Sequence, residues 1–331
     1  MLDLKYMGYV VTGEELENLA SYRDHTNKSL RWSSVFVLPE WLEAWWETFG
    51  SDTEIMLRLI YRDDRIIGIA PLMRQGESAY FIGSTDVCDY MDFVIVPGME
   101  KDFFNELMDD LRRNDVKRLV LAHVRPDSTV MEYLRPLAEA RGYQTGIDRE
   151  EISLETDLPG DWEEYLASLT SKQRHEVRRK LRRLNEAGEV DFCFTGDAES
   201  LNDNMDMFLS MFTEYRQDKT DFMTEQMKSF FKLLADNMSR AGLLEFGILR
   251  LDGKPIACTM CFDYDGCIYL YNSGYDPEYD YLSAGLLSKV LGIKDSIRSG
   301  KKRFDFLKGA EPYKYHLGGR EVALYRCRIN L

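Results

Sequence analysis

The sequence predicts an α/β (α+β) fold of two tandem domains, 1–157 and 158–331, each a mixed, largely antiparallel sheet flanked by helices. Three observations carry this. The chain has 331 residues, too many for one ordinary compact domain and comfortable for two. Apolar runs of strand length sit on either side of short polar turns, Asp63-Asp64 in one half and Asp252-Gly253 and Asp265-Gly266 in the other. Asp-Gly between such runs is a strong hairpin signal, because glycine supplies the positive φ of a tight turn. Each half then repeats one order: a three-strand meander, a helix, a strand and a last strand.

In the first half, 39–50 reads as a helix with Trp41, Leu42 and Trp45 on one face, and Trp46 extends that aromatic stripe as core. Runs 54–61 and 65–73 form a hairpin, 79–83 a third strand, and 91–96 a strand stopped by Pro97-Gly98. Helix 100–113, strand 117–122, helix 127–141 and strand 150–154 follow. Pro159 and Gly160 mark the boundary. Two helices open the second half: 171–188, with Val177, Leu181 and Leu184 on its apolar stripe, and 203–219, with Met207, Met211 and Tyr215 on one stripe. The second meander is 243–251, 254–262 and 267–274, followed by helix 284–299 and strands 303–307 and 321–329.

Composition bounds the function. Hydrophobic residues make up 44% and charged residues 30%, which suits a soluble globular chain and excludes a disordered or collagen-like one. The net charge of −15 repels DNA and anionic lipid as a whole, so anion binding needs a local basic patch. No stretch has the length of a membrane span, and the N-terminus lacks a basic, then apolar, leader. Six thinly spread cysteines read as reduced thiols. A cytoplasmic location is the expectation.

No metal is expected. Cys258 and Cys261 form a C-x-x-C on a strand, where residues three apart face opposite ways, and the four histidines have no ligand spacing. Helix 171–188 carries Lys172, Arg174, Arg178, Arg179, Lys180, Arg182 and Arg183 against Glu176, a conspicuous cluster in an acidic chain. Arg174, Arg178 and Arg182 share one stripe away from the apolar face. The cluster as a whole is a candidate for phosphate binding, with Lys172, Arg174 and Arg178 foremost; the alternative is a solvated face paired with acids elsewhere. Ser283, Ala284 and Gly285 open a helix, where free amides and the dipole favour an anion, or where Ser283 is an ordinary N-cap. Asp305 alternates with Phe304 and Phe306, so it faces away from two core aromatics.

Four segments carry a resemblance. DLPGDWEEYLASLTSKQRHEVRRKLRRLNEAGEV is similar to the opening of the second domain in the Fem-like branch of the GNAT acyltransferase superfamily, which includes acetyltransferases of exopolysaccharide synthesis. The run from LDGKPIACTMCF to FDFLKGAEPYKYHLGG resembles the same branch's C-terminal signature, a D-F-x-x-G strand end followed by an aromatic-Lys pair. PEWLEAWW and the Gly83–Asp92 loop are similar to its first domain.

The resemblance implies two GNAT-like domains and an N-acyltransferase that moves an acyl group from acyl-CoA, as co-substrate, to an amine of a sugar, amino acid or cell-envelope precursor. The Fem peptidyltransferases of the branch use aminoacyl-tRNA instead, so tRNA is the alternative partner. The Q/R-x-x-G-x-G/A pyrophosphate loop of typical GNAT enzymes is absent, which keeps a non-catalytic ligand-binding protein open.

Residue by residue, Lys314 matches the branch's lysine that stabilises reaction charge, with Asp305 or Glu311 orienting it or acting as base. Asp89, in the acidic loop with Asp86 and Asp92, looks like the carboxylate near the acceptor amine. Arg216 resembles an arginine that contacts an acceptor phosphate. Tyr275 and Tyr313 complete the candidate substrate contacts.

Overall fold

The computed structural model describes residues 8–23, 29–83, 86–213 and 221–331. It divides into two compact units, Met1–Glu151 with Ala323–Leu331, and Ile152–Val322. The first unit contains strands β1 (Tyr9–Gly13), β2 (Glu54–Arg62), β3 (Arg65–Gln75), β4 (Ser78–Phe81), β5 (Val94–Ile95) and β6 (Arg118–Val124). Its helices include α1 (Pro39–Phe49), α2 (Glu100–Arg113) and α3 (Arg135–Ala140). The strand β7 (Gln144–Asp157) runs from the first unit into the second.

The second unit continues with α4 (Trp162–Ser168), α5 (Ser171–Ala187), β8 (Val190–Thr195), α6 (Leu201–Thr213) and α7 (Glu225–Arg240). Then come β9 (Leu244–Leu251), β10 (Lys254–Tyr264), β11 (Cys267–Tyr275), α8 (Ala284–Arg298), β12 (Arg303–Lys308), the short α9 (Pro312–His316) and β13 (Arg320–Asn330).

Both meanders form as the turn chemistry requires. Asp63, Asp252 and Asp265 adopt positive φ of 53°, 49° and 48°, and Gly253 and Gly266 follow at 78° and 70°. In each unit the meander's third strand pairs in parallel with the strand beyond the next helix: β4 with β6 and β11 with β12. The closing strands are exchanged. Residues 325–330 of β13 pair antiparallel with β6 in the first unit, and 153–157 of β7 pair antiparallel with β12 in the second. Each half of the chain therefore ends in a strand that serves the other half's unit.

The first unit's core is aromatic, with Phe36 against Trp41 and Phe93 against Phe103 and Phe104. Trp41, Leu42 and Trp45 are buried as their spacing predicts, while Trp46 is half-buried. In the second unit α4, α5 and α8 bury Tyr165, Val177, Leu184, Leu287 and Ile293 against Ile268, Leu270, Phe304 and Phe306. On the other sheet face Phe231 of α7 packs on Tyr271 at 5.4 Å.

The expected Met207–Met211–Tyr215 stripe does not form the buried face of α6. Met205, Phe208 and Phe212 do, because Phe208 and Phe212 face Phe231; Met207 and Met211 are half-buried and Tyr215 lies outside the described residues. Among the described residues no helix is long and apolar enough to cross a membrane.

Candidate functional site

Strands β11 and β12 pair only over Cys267–Tyr269 and Arg303–Asp305. Beyond that, β11 continues to Tyr275 and β12 to Lys308 without pairing, so the sheet parts into a cleft. Over that stretch the two strands make no ladder bonds to each other.

At the closed end Asp305 pairs in register with Tyr269. Phe304 and Phe306 face the α8 side, so Asp305 faces the α6 and α7 side. It is 1% exposed, and its Oδ1 accepts a 2.8 Å bond from the amide of Leu307. Leu307 has φ +60°, a left-handed conformation that costs a branched L-residue free energy, at a register shift against β7.

Lys314 clamps the same residue from its other side. Its ammonium donates to the carbonyls of Leu307 (3.1 Å) and Lys308 (2.6 Å), and pairs with Glu311 at 2.9 Å. All three donors of the ammonium are engaged. The Lys314 side chain is 3% exposed and that of Glu311 55%. The two candidate catalytic charges thus hold one strained peptide at the cleft's end, and Glu311 is the partner that solvent reaches.

The cleft's other flank is the start of α8. The first amides of a helix have no partner inside it and carry the positive end of its dipole. Ser283 precedes them at φ +62°, half-buried, with its hydroxyl making no capping bond. That hydroxyl accepts from Lys180 Nζ at 2.6 Å and Arg183 at 3.4 Å, both from α5. Arg183 Nε is buried without a hydrogen-bond partner. Gly285 lies directly under Tyr275, where an added Cβ would stand 2.7 Å from the ring. The carbonyl of Gly285 accepts from buried Lys289 at 2.7 Å, and that ammonium lies 5.3 Å from the Tyr313 ring centre. Gly274 lets α6 approach the cleft strand, since a Cβ there would meet the backbone of Met211 at 2.4 Å.

The structure therefore brings Ser283, Ala284, Gly285, Tyr275 and Tyr313 around one helix start, and Lys314, Glu311 and Asp305 around the end of β12. Other candidates lie elsewhere. Arg174 donates to the carbonyls of Leu166 and Ala167, Arg178 pairs with Glu163 at 2.5 Å, and Lys172 is exposed. Asp89 is buried in the first unit, and Arg216 lies outside the described residues.

Lys289 was not singled out in the sequence, and Lys180 and Arg183 only as members of the basic cluster. The usable signal was side: on the helix Lys180 and Arg183 lie to one side of the Val177–Leu181–Leu184 stripe, and Arg174, Arg178 and Arg182 to the other.

Burial raises the Cys261 thiol to about 12, and burial, followed by the charge of Asp305, raises Cys267 to about 12. Neither is a thiolate at neutral pH. Among the described residues no group of three or more His, Cys, Asp or Glu could hold a metal ion.

Comparison with known proteins bears on the fold. Residues 171–315 match the family model of an acetyltransferase (GNAT) domain. No curated protein matches the sequence significantly. The fold is similar to that of FemX, with a TM-score of 0.65, 12% identity and 96% of each chain covered. It is also similar to a conserved protein of unknown function from Bacteroides thetaiotaomicron, with a TM-score of 0.59, 11% identity, and 97% of this chain and 99% of that one covered. The family match is thus confined to the second half, and the chain as a whole shares its fold with FemX.

Proposed function

We propose that the second unit is an acyl-CoA-dependent N-acyltransferase acting on an amine of a sugar, amino acid or envelope precursor. The observation that carries this is the convergence of Lys180 and Arg183 on Ser283 at the start of a 15-residue helix, beside parted strands. The donor's diphosphate sits at this helix start, where amide donors, the dipole and two cations replace the missing glycine-rich loop. Its extended arm lies between β11 and β12.

At the cleft's end the amine attacks the thioester carbonyl. The C–N bond forms, charge develops on oxygen, and the C–S bond breaks to release the CoA thiolate, which takes up a proton from solvent. Lys314 is the electrophile: the oxyanion takes the donor that Glu311 holds at rest, while Leu307 and Lys308 keep the ammonium in place. Displaced and solvent-exposed, Glu311 accepts the amine's proton. Asp305, buried on the Leu307 amide, is a positioning residue.

The charge layout favours a compact donor over an RNA. Arg178, Arg179 and Arg182 are paired with Glu163, Glu176 and Glu186, so the outer face of α5 is largely neutralised. Lys180 lies 3.6 Å from Glu176, and Arg183 makes no ion pair among the described residues. An aminoacyl-tRNA donor remains the counterpart outcome. The test is calorimetric titration with CoA, acetyl-CoA and longer acyl-CoAs. Binding is expected, and Arg183→Glu should weaken it at least tenfold; no binding of any CoA species removes this reading.

A second reading has an observation of its own. Asp305 and Lys314 are 1% and 2% exposed, as suits a purely structural clamp in a GNAT fold that binds without catalysing. Turnover decides between the two.

A further inference from the structure

The second unit contains a cavity of about 620 Å³ on the far half of α8, within the 300–1,000 Å³ range of small-molecule sites. It involves α8 residues 291–298, so its centre lies some 15 Å along the helix from Ser283, at 1.5 Å per residue. It is a different place from the proposed donor site.

Its floor is apolar: Trp162, Leu181, Val190, Phe192 and Leu291 line it and are only partly buried. Most charged groups of the rim are held by hydrogen bonds or ion pairs. Asp161 accepts the amides of Glu163 and Glu164 at the start of α4, and Asp191 pairs with Arg250 at 3.5 Å. Asp295 pairs with Arg298. The exception is Lys294. It is exposed, lies 5.9 Å from the Trp162 ring centre, and has no carboxylate partner among the described residues.

An apolar floor under one uncompensated ammonium selects a ligand with the converse layout. We propose that this cavity binds an amphiphilic monoanion, an apolar chain or ring ending in a carboxylate, with the apolar part on Phe192 and Leu291 and the carboxylate on Lys294. Desolvated apolar surface supplies the affinity, and the charge-assisted hydrogen bond sets the orientation.

The test is calorimetric titration of the full chain with decanoate and with 1-decanol, both as monomers in solution. Decanoate should bind one per chain. Lys294→Gln, a change at an exposed position that leaves the core intact, should weaken decanoate about tenfold and leave decanol within twofold. Saturating CoA should not displace decanoate, because the two sites are separate. No decanoate binding, equal binding by Lys294→Gln, or displacement by CoA each overturns the proposal. All three readouts are independent of whether CoA is the donor.

Discussion

Helix α2 of the first unit and α8 of the second each lie between a meander and the strand that pairs in parallel with the meander's third strand, but only the first turn of α2 carries acids. At α2 the carboxylate of Glu100 turns back to accept the Gly98 amide through both oxygens, at 3.1 and 2.9 Å, and Asp102 adds a second acid. At α8 the first turn has no acid, and Lys180 reaches the helix start from α5. The first unit's helix start carries carboxylates of its own. At the second unit's helix start Lys180 and Arg183 meet on Ser283. One topology therefore yields an acidic helix start in one unit and a candidate donor site in the other.

The largest expected effect tests the catalytic side of this contrast. Lys314→Met should lower kcat at least about a hundredfold, the scale of losing one preorganised oxyanion donor, while the CoA dissociation constant stays within twofold. The carbonyls of Leu307 and Lys308 lose a partner as well, so melting should be followed alongside; leaving buried acceptors unpaired costs about 1–3 kcal/mol. Full turnover by a folded Lys314→Met protein would leave the clamp with a structural role only.

How much of this was legible in the sequence differs by element. The meanders were, because Asp252-Gly253 and Asp265-Gly266 encode positive φ locally. The exchanged closing strands were not: β6 and β13 are some two hundred residues apart, and nothing in either strand's alternation names its partner. Strands β1 and β8 and helices α4, α7 and α9 also escaped. They are short or amphipathic segments, fixed by the surfaces they cover more than by their own pattern. At the site, Ser283, Lys314 and Asp305 could be found as residue types at an element's end. Their hydrogen bonds could not, since the geometry that makes Leu307 a shared anchor of Asp305 and Lys314 exists only after β12 bulges.

A second contrast concerns buried carboxylates. Burial raises Asp92 of the first unit to about 6, while bonds from Thr129 and the amide of Phe93 pull it back down. Burial raises Glu245 of the second unit further, to about 7, with Asp263 adding to it and Lys301 opposing. A carboxylate whose folded value lies above its unfolded one binds its proton more tightly when folded. Stability is therefore greatest below the unfolded value, falls as pH rises towards the folded value, and stays low above it. For Glu245 that window runs from its ordinary 4.5 to about 7.

Glu245→Gln should remove the slope across this window and raise stability at pH 8 by about 2 kcal/mol, after a discount for partial exposure. Asp92→Asn should instead destabilise, because Asp92 accepts the Thr129 amide and hydroxyl with its two oxygens. Melting curves from pH 4 to 8 decide; a Glu245→Gln protein no more stable than wild type at pH 8 would place that carboxylate in solvent.

The smallest expected effect probes the first contrast from its inactive side. Glu100→Gln removes the charge that occupies the α2 start and keeps a side chain able to accept from the Gly98 amide. If the second unit alone holds the donor, CoA affinity in Glu100→Gln should match wild type within twofold, and stoichiometry should stay at one per chain. A second equivalent of CoA would mean that a single carboxylate had been masking a site in the first unit. That result would make charge at the first turn, and not the absence of partner cations, the feature that separates the two units. An unchanged stoichiometry would leave the separation to Lys180 and Arg183 together with Asp102, the acid that remains in the first turn of α2.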